Sequence, residues 1–557
     1  MLNQVPTKST YFVMTKYNQL LLSSIILFLS INFNCGAQNF TTYFADGKAA
    51  YDQQNFNKAI QFFQKARLQG KETIGDTHPD YILDIEYLAK SYQGLKDLGN
   101  ANIYYMSLEK LLQKSGNTVS KKMGDTQEVI ASNSVIMKNY AQADVYFQKT
   151  LNTREKTEGK DSKEYTLSLH KYSQLYLKGR KYKEAEGMYR QLEPLAEKNL
   201  KGTADQAKIL AEQAEVYLGL KRVDEASIQL SISISAYEKT TAPKSSYVHL
   251  YLQEASLLEK AGKRQEAITA YYKYVEVLES AFGIKNKKYT AEVERLAIHF
   301  DEKLHSPMDS YNMINKKLAA NIATYSDNSL QAAVTYIELA EMEIEQNKIP
   351  LAEEHTVKAM EIYAELGKAN SPDGIAASIT LARVHSILKK NTEAEAMYKK
   401  AIADTEKYLS TEHTTYGKSL DSLAFFFIEH KRFEEAEKTI EKGLTARQKS
   451  VGKQHIDYGN SLYSLSKLYT AQDSLEKAEK TLINVAKVRE AYYGALTVEH
   501  ATCIKELGDL YKGMGEEQQV KALKTYRRAI HLFEGIGYKE SAIVKEIYNS
   551  IDEINAR

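Results

Sequence analysis

The residues that could do chemistry in this chain are scattered, and none stands in a pattern that a catalytic site requires. There is no glycine-rich phosphate loop, no Gly-x-Ser-x-Gly nucleophile turn and no His-Glu-x-x-His zinc motif. His413, His455 and His500 precede successive predicted helices but belong to separate linkers, so a shared metal is not expected. Cys503 lies on a predicted helix, as a small packing residue would. The sequence therefore predicts neither an enzyme nor a cofactor.

The charge balance argues against a nucleic-acid partner. The chain holds 74 basic and 72 acidic residues, for a formal net charge of +2. A nucleic-acid binder normally shows a basic excess or a clustered basic stripe, and the sequence shows neither. The composition, with 43% hydrophobic and 26% charged residues, is that of a folded protein, and 7 prolines are few enough to favour helices. Helices must therefore position any binding residues.

The first 37 residues have the pattern of a secretory leader. An apolar run of 14 residues, Leu20 to Phe33, follows Lys16 and is too short to span a bilayer. It is followed by Cys-Gly-Ala, a small-residue stretch that suits signal peptidase. We therefore expect residues 1–37 to be removed. Cys503 is then the one cysteine of the remaining sequence, which excludes an internal disulfide.

Two alternatives stay open at this end of the chain. Translation could begin at Met14, since Met14 to Ala37 alone has the charged, apolar and small-residue regions of a leader. Cys35 could instead be lipidated, although the Asn-Phe-Asn before it makes a poor lipoprotein cleavage box. In each case we expect an exported protein, periplasmic or associated with the outer membrane, with no transmembrane segment in its mature chain.

The strongest pattern is an alanine inside an aromatic-x-x-Ala-x-x-x-aromatic frame. Clear copies surround Ala59, Ala143, Ala185 and Ala436. Carried along the chain, the frame recurs every 41 to 44 residues, which predicts a long array of similar helix pairs. Its twelve positions are Ala59, Ala101, Ala143, Ala185, Ala226, Ala267, Asp309, Ala352, Ala394, Ala436, Ala478 and Ala522.

Two further features repeat in phase with this alanine. About twelve residues before most of the alanines stands a small residue, where two helices must approach closely. Between repeats, a glycine suited to a helix C-terminus precedes by six residues a tyrosine that should pack at the entry to the next helix. The small residues are Gly47, Ala89, Ala131, Ala214, Ala255, Ala340, Ala382, Ala424 and Gly508. The glycines with their tyrosines are Gly75 with Tyr81, Gly159 with Tyr165, Gly283 with Tyr289 and Gly452 with Tyr458.

These repeats resemble the tetratricopeptide repeat (TPR) in the longer, roughly 42-residue form found in kinesin light chains. The linkers at residues 75–79, Gly-Asp-Thr-His-Pro, and 452–455, Gly-Lys-Gln-His, are similar to the Gly-x-x-His-Pro linker of that subtype. The resemblance covers residues 40–535. It implies an all-α solenoid of about twelve helix pairs, coiled as a right-handed superhelix, in which the first helix of each pair lines a concave groove.

The resemblance also implies how the chain is organised. Residues 38–300 hold repeats one to six and the start of the seventh, and residues 320–535 hold repeats eight to twelve. Residues 301–319, around Asp309, form a degenerate second helix of the seventh repeat, which is either a hinge or a repeat that has drifted in sequence. Residues 536–557 are expected to form a helix that caps the end of the array.

The groove-facing positions of the first helices, taken from the resemblance, change in charge along the array. In repeats seven and eight they include Glu294, Asp301, Glu302, Glu341 and Glu345. In repeats nine to twelve they include Arg383, Lys418, Lys467, Lys505 and Lys512, beside the apolar Ile379, Ile387, Phe425, Ile428 and Tyr463. A peptide with an apolar anchor and an acidic flank would suit the basic end, although such charges also occur on helix faces that meet only solvent. The predicted partner-binding residues are Arg383, Lys418, Phe425, Ile428, Tyr463 and Lys467.

The sequence thus predicts a non-enzymatic, exported scaffold that binds a protein or peptide in its groove. The asparagines with which kinesin light chains bind cargo peptides are not matched, so no particular ligand is implied. Two alternatives stay open. The array is the sensor or regulatory arm of a peptidase or signalling kinase that another chain or a missing domain supplies, or it is a structural spacer in a cell-envelope assembly. No oligomeric state is predicted.

Overall fold

The structure, a computed structural model, describes residues 39–538 and 541–556. The expected leader, residues 1–37, lies outside these described residues. Within them the chain is helical, with short 3-10 turns and no strand. No helix in this part of the chain is both long enough and apolar enough to span a bilayer. The predicted all-α solenoid of successive helix pairs is confirmed.

The chain divides into two compact units, the first ending at Tyr274 and the second beginning at Val275. The division falls inside α12, Arg264–Phe282. A 3-10 turn, Lys244–Ser246, comes directly before the helix that begins at Val248, which is the last one to lie wholly in the first unit. The helices before α12 are α1 (residues 39–52), α2 (Phe56–Thr73), α3 (Pro79–Gly94), α4 (Leu98–Lys114), α5 (Lys121–Ile136), α6 (Tyr140–Thr157), α7 (Lys163–Lys178), α8 (Tyr182–Asn199), α9 (Ala204–Gly219), α10 (Val223–Glu238) and α11 (Val248–Lys260).

The second unit continues the same alternation of first and second helices. A 3-10 turn, Glu516–Gln518, precedes its last second helix. Its helices after α12 are α13 (Lys287–Glu302), α14 (Pro307–Tyr325), α15 (Leu330–Glu345), α16 (Ile349–Glu365), α17 (Pro372–Ile387), α18 (Asn391–Tyr408), α19 (Thr414–Glu429), α20 (Phe433–Ser450), α21 (Ile456–Ala471), α22 (Leu475–Tyr493), α23 (Val498–Gly513), α24 (Gln519–Gly535) and α25 (Ala542–Asn555). The last of these, α25, lies within the expected capping segment and packs through Val544 and Ile547 on the core of the last pair.

The second helix of the seventh pair begins and ends later than expected. The sequence placed it at 301–319, but α14 runs from Pro307 to Tyr325. The reason is that α13 continues to Glu302 and the chain then turns at His305, whose φ of 47° is left-handed. The compact units separate elsewhere, inside α12, and a hinge at the seventh repeat stays a prediction.

The repeating alanine is a core position throughout the array. Its eleven alanines are at most 1% exposed. The small residue before it allows close approach: a Cβ added to Gly47 would lie 2.6 Å from the ring of Phe63, and one added to Gly508 would lie 2.7 Å from the ring of Tyr526. Larger side chains would push the two helices of these pairs apart, because interiors are close-packed.

The turn from each first helix to its second helix repeats one backbone conformation. In the described residues, one residue of every such turn has φ between 47° and 97°. These residues recur every 41 to 43 positions, which confirms twelve pairs independently of the alanines. They are Gln54, Lys96, Lys138, Arg180, Lys221, Gly262, His305, Asn347, Lys389, Lys431, Asp473 and Gly515.

The linkers between pairs are also built as expected. Gly452 ends the preceding helix with a φ of 84°. Two linker tyrosines then bond back to the preceding second helix: the hydroxyl of Tyr289 donates to Glu279 at 3.0 Å, and that of Tyr416 donates to Glu406 at 2.8 Å. These tyrosines are therefore structural.

Candidate functional site

Side chains on neighbouring first helices of the second unit reach one another. Because equivalent positions of successive repeats lie side by side, residues about one repeat apart face each other. Three ion pairs show this: Glu341 with Arg383 at 3.1 Å, Lys467 with Glu506 at 3.1 Å, and Lys505 with Glu546 at 2.7 Å. All three pairs are partly exposed, so each contributes at most about 1 kcal/mol to stability. Their main consequence is to fix side chains on a shared first-helix surface.

Arg383 is not a free cation on this surface. Its guanidinium lies 3.1 Å from the carboxylate of Glu341, which also accepts a hydrogen bond of 2.6 Å from Thr380. The expected acidic and basic parts of the groove thus meet and neutralise each other at this point. A partner that used Arg383 would have to compete with Glu341 for it.

Tyr463 is the centre of a cluster that brings together three of the six predicted residues. Its ring lies 6.4 Å from that of Phe425, and the ammonium of Lys467 and the guanidinium of Arg489 each lie 4.9 Å from its ring centre. Its hydroxyl donates to Glu506 at 2.6 Å. Burial, and then the nearby Glu506 carboxylate, raise the pKa of Tyr463, so the phenol is a neutral donor. We call Phe425, Tyr463, Lys467, Arg489 and Glu506 the Tyr463 cluster.

The remaining predicted residues stand outside the Tyr463 cluster. Lys418 is exposed on α19, two turns before Phe425, and forms no ion pair with a described residue. Ile428 is half-buried and packs against the core that contains Phe426 and Phe427, so it supports the surface from below.

Lys317 lines a cleft between α13 and α15 and is a residue that sequence reasoning missed. It is 7% exposed, and its ammonium lies 2.9 Å from Glu294 on α13 and 2.9 Å from Glu338 on α15. Burial opposes its charge, but the hydrogen bonds to the two carboxylates outweigh burial and raise the pKa of Lys317. Its charge was no clear signal, since Arg67, Glu109 and Glu193 stand at the same position of earlier second helices, although the five later second helices carry apolar residues there. These residues are Met360, Ile402, Leu444, Ala486 and Ile530.

Two of the linker histidines have structural roles. The Nδ1 atom of His413 accepts a hydrogen bond of 3.2 Å from the backbone N–H of Thr415, and that of His455 accepts one of 3.2 Å from Asp457. Each therefore caps the N-terminus of a first helix, where unsatisfied N–H groups need acceptors. Among the described residues, no group of three or more potential ligands could hold a metal ion.

Cys503 is enclosed in the core of the last pairs. It is 0% exposed, and its Sγ lies 3.7 Å from the carbonyl oxygen of Leu482. Burial raises the pKa of the Cys503 thiol to about 12, the opposite of what a nucleophilic thiolate needs. His500, also buried, lies 3.2 Å from the carbonyl oxygen of Ala486 through its Nδ1. The packing role expected for Cys503 agrees with this position.

Comparison with known proteins shows which repeat family part of this chain resembles. Residues 318–407 match the profile of the tetratricopeptide repeat family. No curated protein matches the sequence. Among solved structures, TPR-like repeats described as those of a Podosopora anserina kinesin light chain are 19% identical, cover 36% of this chain and 94% of theirs, and have a TM-score of 0.30. Yeast Tom70 is 14% identical, with 93% and 96% covered and a TM-score of 0.35. BtubC (BKLC) from P. vanneervenii is 16% identical, with 48% and 87% covered and a TM-score of 0.27.

TM-scores this low establish no common overall shape, so the profile match and the repeating helices carry the assignment. The matched residues run from α14 into α18. The pairs before and after them share the buried alanine and the left-handed turn. Residues 318–407 are therefore similar to tetratricopeptide repeats, and the described chain repeats the same kind of helix pair, an architecture suited to protein–protein interaction.

Proposed function

We propose that this protein is a non-enzymatic scaffold that binds a protein or peptide partner on the groove surface of its first helices. One observation carries the proposal: the half-buried rings of Phe425 and Tyr463 lie side by side on adjacent first helices, and the exposed Lys418 stands two turns before Phe425 on the same helix. Aromatic residues that are partly exposed next to a cation are typical anchors of protein interfaces. A segment with an apolar anchor and an acidic flank would place the anchor on the rings and its carboxylate near Lys418.

Affinity capture with paired variants tests this proposal. The full chain, Lys418→Glu, Phe425→Ala and Lys438→Glu are used to capture proteins from the cell envelope, which are then identified by mass spectrometry. Lys438 is exposed on α20, a second helix, so Lys438→Glu changes charge equally on a different surface. We expect the partner to be lost with Lys418→Glu and Phe425→Ala and kept with Lys438→Glu.

Two other outcomes would favour the alternative functions. Equal capture of a membrane complex by all four chains would indicate a structural spacer whose first-helix surface is not a receptor. Capture of a peptidase or kinase whose activity changes on binding would indicate a regulatory arm of that enzyme.

We also propose that the protein is exported, on the support of the apolar run before Cys35. N-terminal sequencing of the protein recovered from the cell envelope tests this. A mature chain that begins at Gln38 is expected. A lipid-modified Cys35 would indicate a lipoprotein instead, and an intact N-terminus would contradict export by this route.

A further inference from the structure

Two clefts follow one another along α14, between α13 and α15. The first, of about 410 Å³, lies at the N-terminal ends of α13 and α15. Lys285 and Lys287 stand at its mouth, exposed and without an ion pair among the described residues. Tyr325, Leu330 and Val334, each 39–43% exposed, form its apolar lining. This cleft therefore offers apolar contact under a positive rim.

The second cleft, of about 690 Å³, continues the same groove toward the C-terminal ends of α13 and α15. Its rim carries Asp301, Glu302 and Glu345, none of which has an ion pair with a described residue. Ile298, 53% exposed, and the half-buried Met342 give it an apolar side. The charge of the groove therefore changes from positive to negative along one helix pair.

Lys317 lines the first cleft, its partner Glu338 lines the second, and its ammonium ties α13 to α15 through Glu294 and Glu338. A buried lysine held by carboxylates rarely adds more stability than an apolar residue of similar size. The second helices of the first, second and fourth repeats also carry a charged residue at this position, Arg67, Glu109 and Glu193, whereas the five later ones carry an apolar residue.

From this arrangement we propose that the groove of the seventh helix pair binds a charge-ordered peptide segment of a partner protein. The segment has an acidic residue at one end, an apolar residue between, and a basic residue at the other end. Carboxylates at the first end face Lys285 and Lys287, and cations at the second end face Asp301 and Glu345. This inference rests on the proposed function and names the kind of segment that the groove takes.

The dimensions of the groove fix the length of that segment. From Lys287 to Asp301 the helix α13 rises by about 21 Å. An extended chain covers that distance with six or seven residues at about 3.3 Å each. Beyond Asp301, the ring of Tyr538 lies 3.5 Å from that of His305 and borders the acidic end. A heptapeptide is therefore the matched probe.

Panning a random heptapeptide library against the full chain tests the inference. We expect the enriched peptides to carry acidic residues at one end and basic residues at the other. Their affinity should fall about tenfold in Lys285→Glu/Lys287→Glu and in Asp301→Lys/Glu345→Lys, since each double change reverses two favourable contacts. Lys438→Glu/Lys480→Glu, on the exposed faces of α20 and α22, is the matched control and should leave affinity unchanged. Circular dichroism verifies that each variant is folded.

The outcomes separate this inference from the proposed function. Peptides that lack charge order, or that lose affinity in Lys418→Glu but not in the variants of the seventh pair, would overturn the inference and leave the scaffold function standing. If no heptapeptide is enriched, the inference is wrong, and partner capture alone then decides the scaffold function.

Discussion

The hydroxyl of Tyr463 donates a hydrogen bond of 2.6 Å to the carboxylate of Glu506, which belongs to the next first helix. The second oxygen of that carboxylate is buried without a hydrogen-bond partner among the described residues. Glu506 therefore depends on Tyr463 and Lys467 for its hydrogen bonds. The Tyr463 cluster is thus a structural unit as well as a candidate contact surface.

Removal of the Tyr463 hydroxyl should destabilise the last repeats. We expect Tyr463→Phe to lower the free energy of unfolding by about 1.5–3 kcal/mol, because a hydrogen bond to a charged group contributes about that much. Urea denaturation measures the change. Tyr492→Phe is the control, since Tyr492 is 50% exposed and its hydroxyl forms no hydrogen bond with a described residue. Equal effects of the two substitutions would show that the bond to Glu506 contributes nothing.

Asp84 should make the protein less stable as the pH rises. Its side chain is 0% exposed, and neither carboxylate oxygen has a hydrogen-bond partner among the described residues. Burial raises the pKa of Asp84 from 3.8 to about 8, and the charge of Arg67 only partly opposes this. A raised folded pKa gives stability that is complete below about pH 4 and is lost as the pH rises toward 8.

Neutral replacements of Asp84 test that pH dependence. We expect Asp84→Asn to raise the free energy of unfolding at pH 8 by about 2–4 kcal/mol and to change it little at pH 4, since a tenfold change in proton binding is worth about 1.4 kcal/mol. Asp84→Thr should act alike, because Thr126 holds the same position one repeat later and donates to the carbonyl oxygen of Lys122 at 2.8 Å. An unchanged slope of stability against pH between 4 and 8 would contradict the assignment.

Cys503 should resist thiol reagents in the folded protein. Its full burial and the raised pKa of its thiol suppress the reactive thiolate. In a chain that carries Cys35→Ser, we expect labelling by iodoacetamide to be slower by on the order of a hundredfold in buffer than in urea. If iodoacetamide labels Cys503 as fast in buffer as in urea, the thiol is accessible and reactive in the folded protein.

Lys317 should prove unnecessary for folding. We expect Lys317→Met to leave the free energy of unfolding unchanged or to raise it by up to about 2 kcal/mol, since an apolar side chain of similar length replaces a buried ion pair. Glu294 and Glu338 remain 51% and 37% exposed, so solvent can reach them. Lys317→Ala, which also leaves a cavity, should lower stability by about 1–3 kcal/mol. If thermal unfolding shows that both variants lose similar stability, the ion pairs of Lys317 with Glu294 and Glu338 stabilise the fold.

The left-handed turn residues give a test of the repeat backbone. Lys431 has a φ of 56° between α19 and α20, where glycine avoids the strain that a Cβ causes. We expect Lys431→Gly to raise the free energy of unfolding by up to about 1 kcal/mol. The same change at Lys438, inside α20, should lower it by about 1 kcal/mol. Urea denaturation compares the two, and a loss of stability in both would contradict the strain argument.

Most of the fold could be predicted because its signals are local and repeat. The alanine of each frame is buried wherever two helices pair. The linker tyrosines pack at the start of the next helix, so the spacing in the sequence was enough to locate both kinds of residue. The expected segment 301–319 differs from α14 because Asp309 breaks the frame there and the turn at His305 follows a longer α13.

The side-chain contacts of the site were harder to predict. The charge series along the first helices was recognised, but its neutralisation by Arg383 and Glu341 depends on positions one repeat apart facing each other. The contacts of Lys317 with Glu294 and Glu338 depend on rotamers and on the packing of three helices, which no local pattern records.

The most direct measurement of the central claim is site-specific photo-crosslinking in cells that express the full chain. A photoreactive phenylalanine analogue replaces Lys418 on α19 or, as the control, Lys438 on α20. A partner that binds the first-helix surface should crosslink from position 418 and not from position 438. Crosslinks from position 438 alone, or from neither position while the partner still co-purifies, would contradict a groove-binding scaffold.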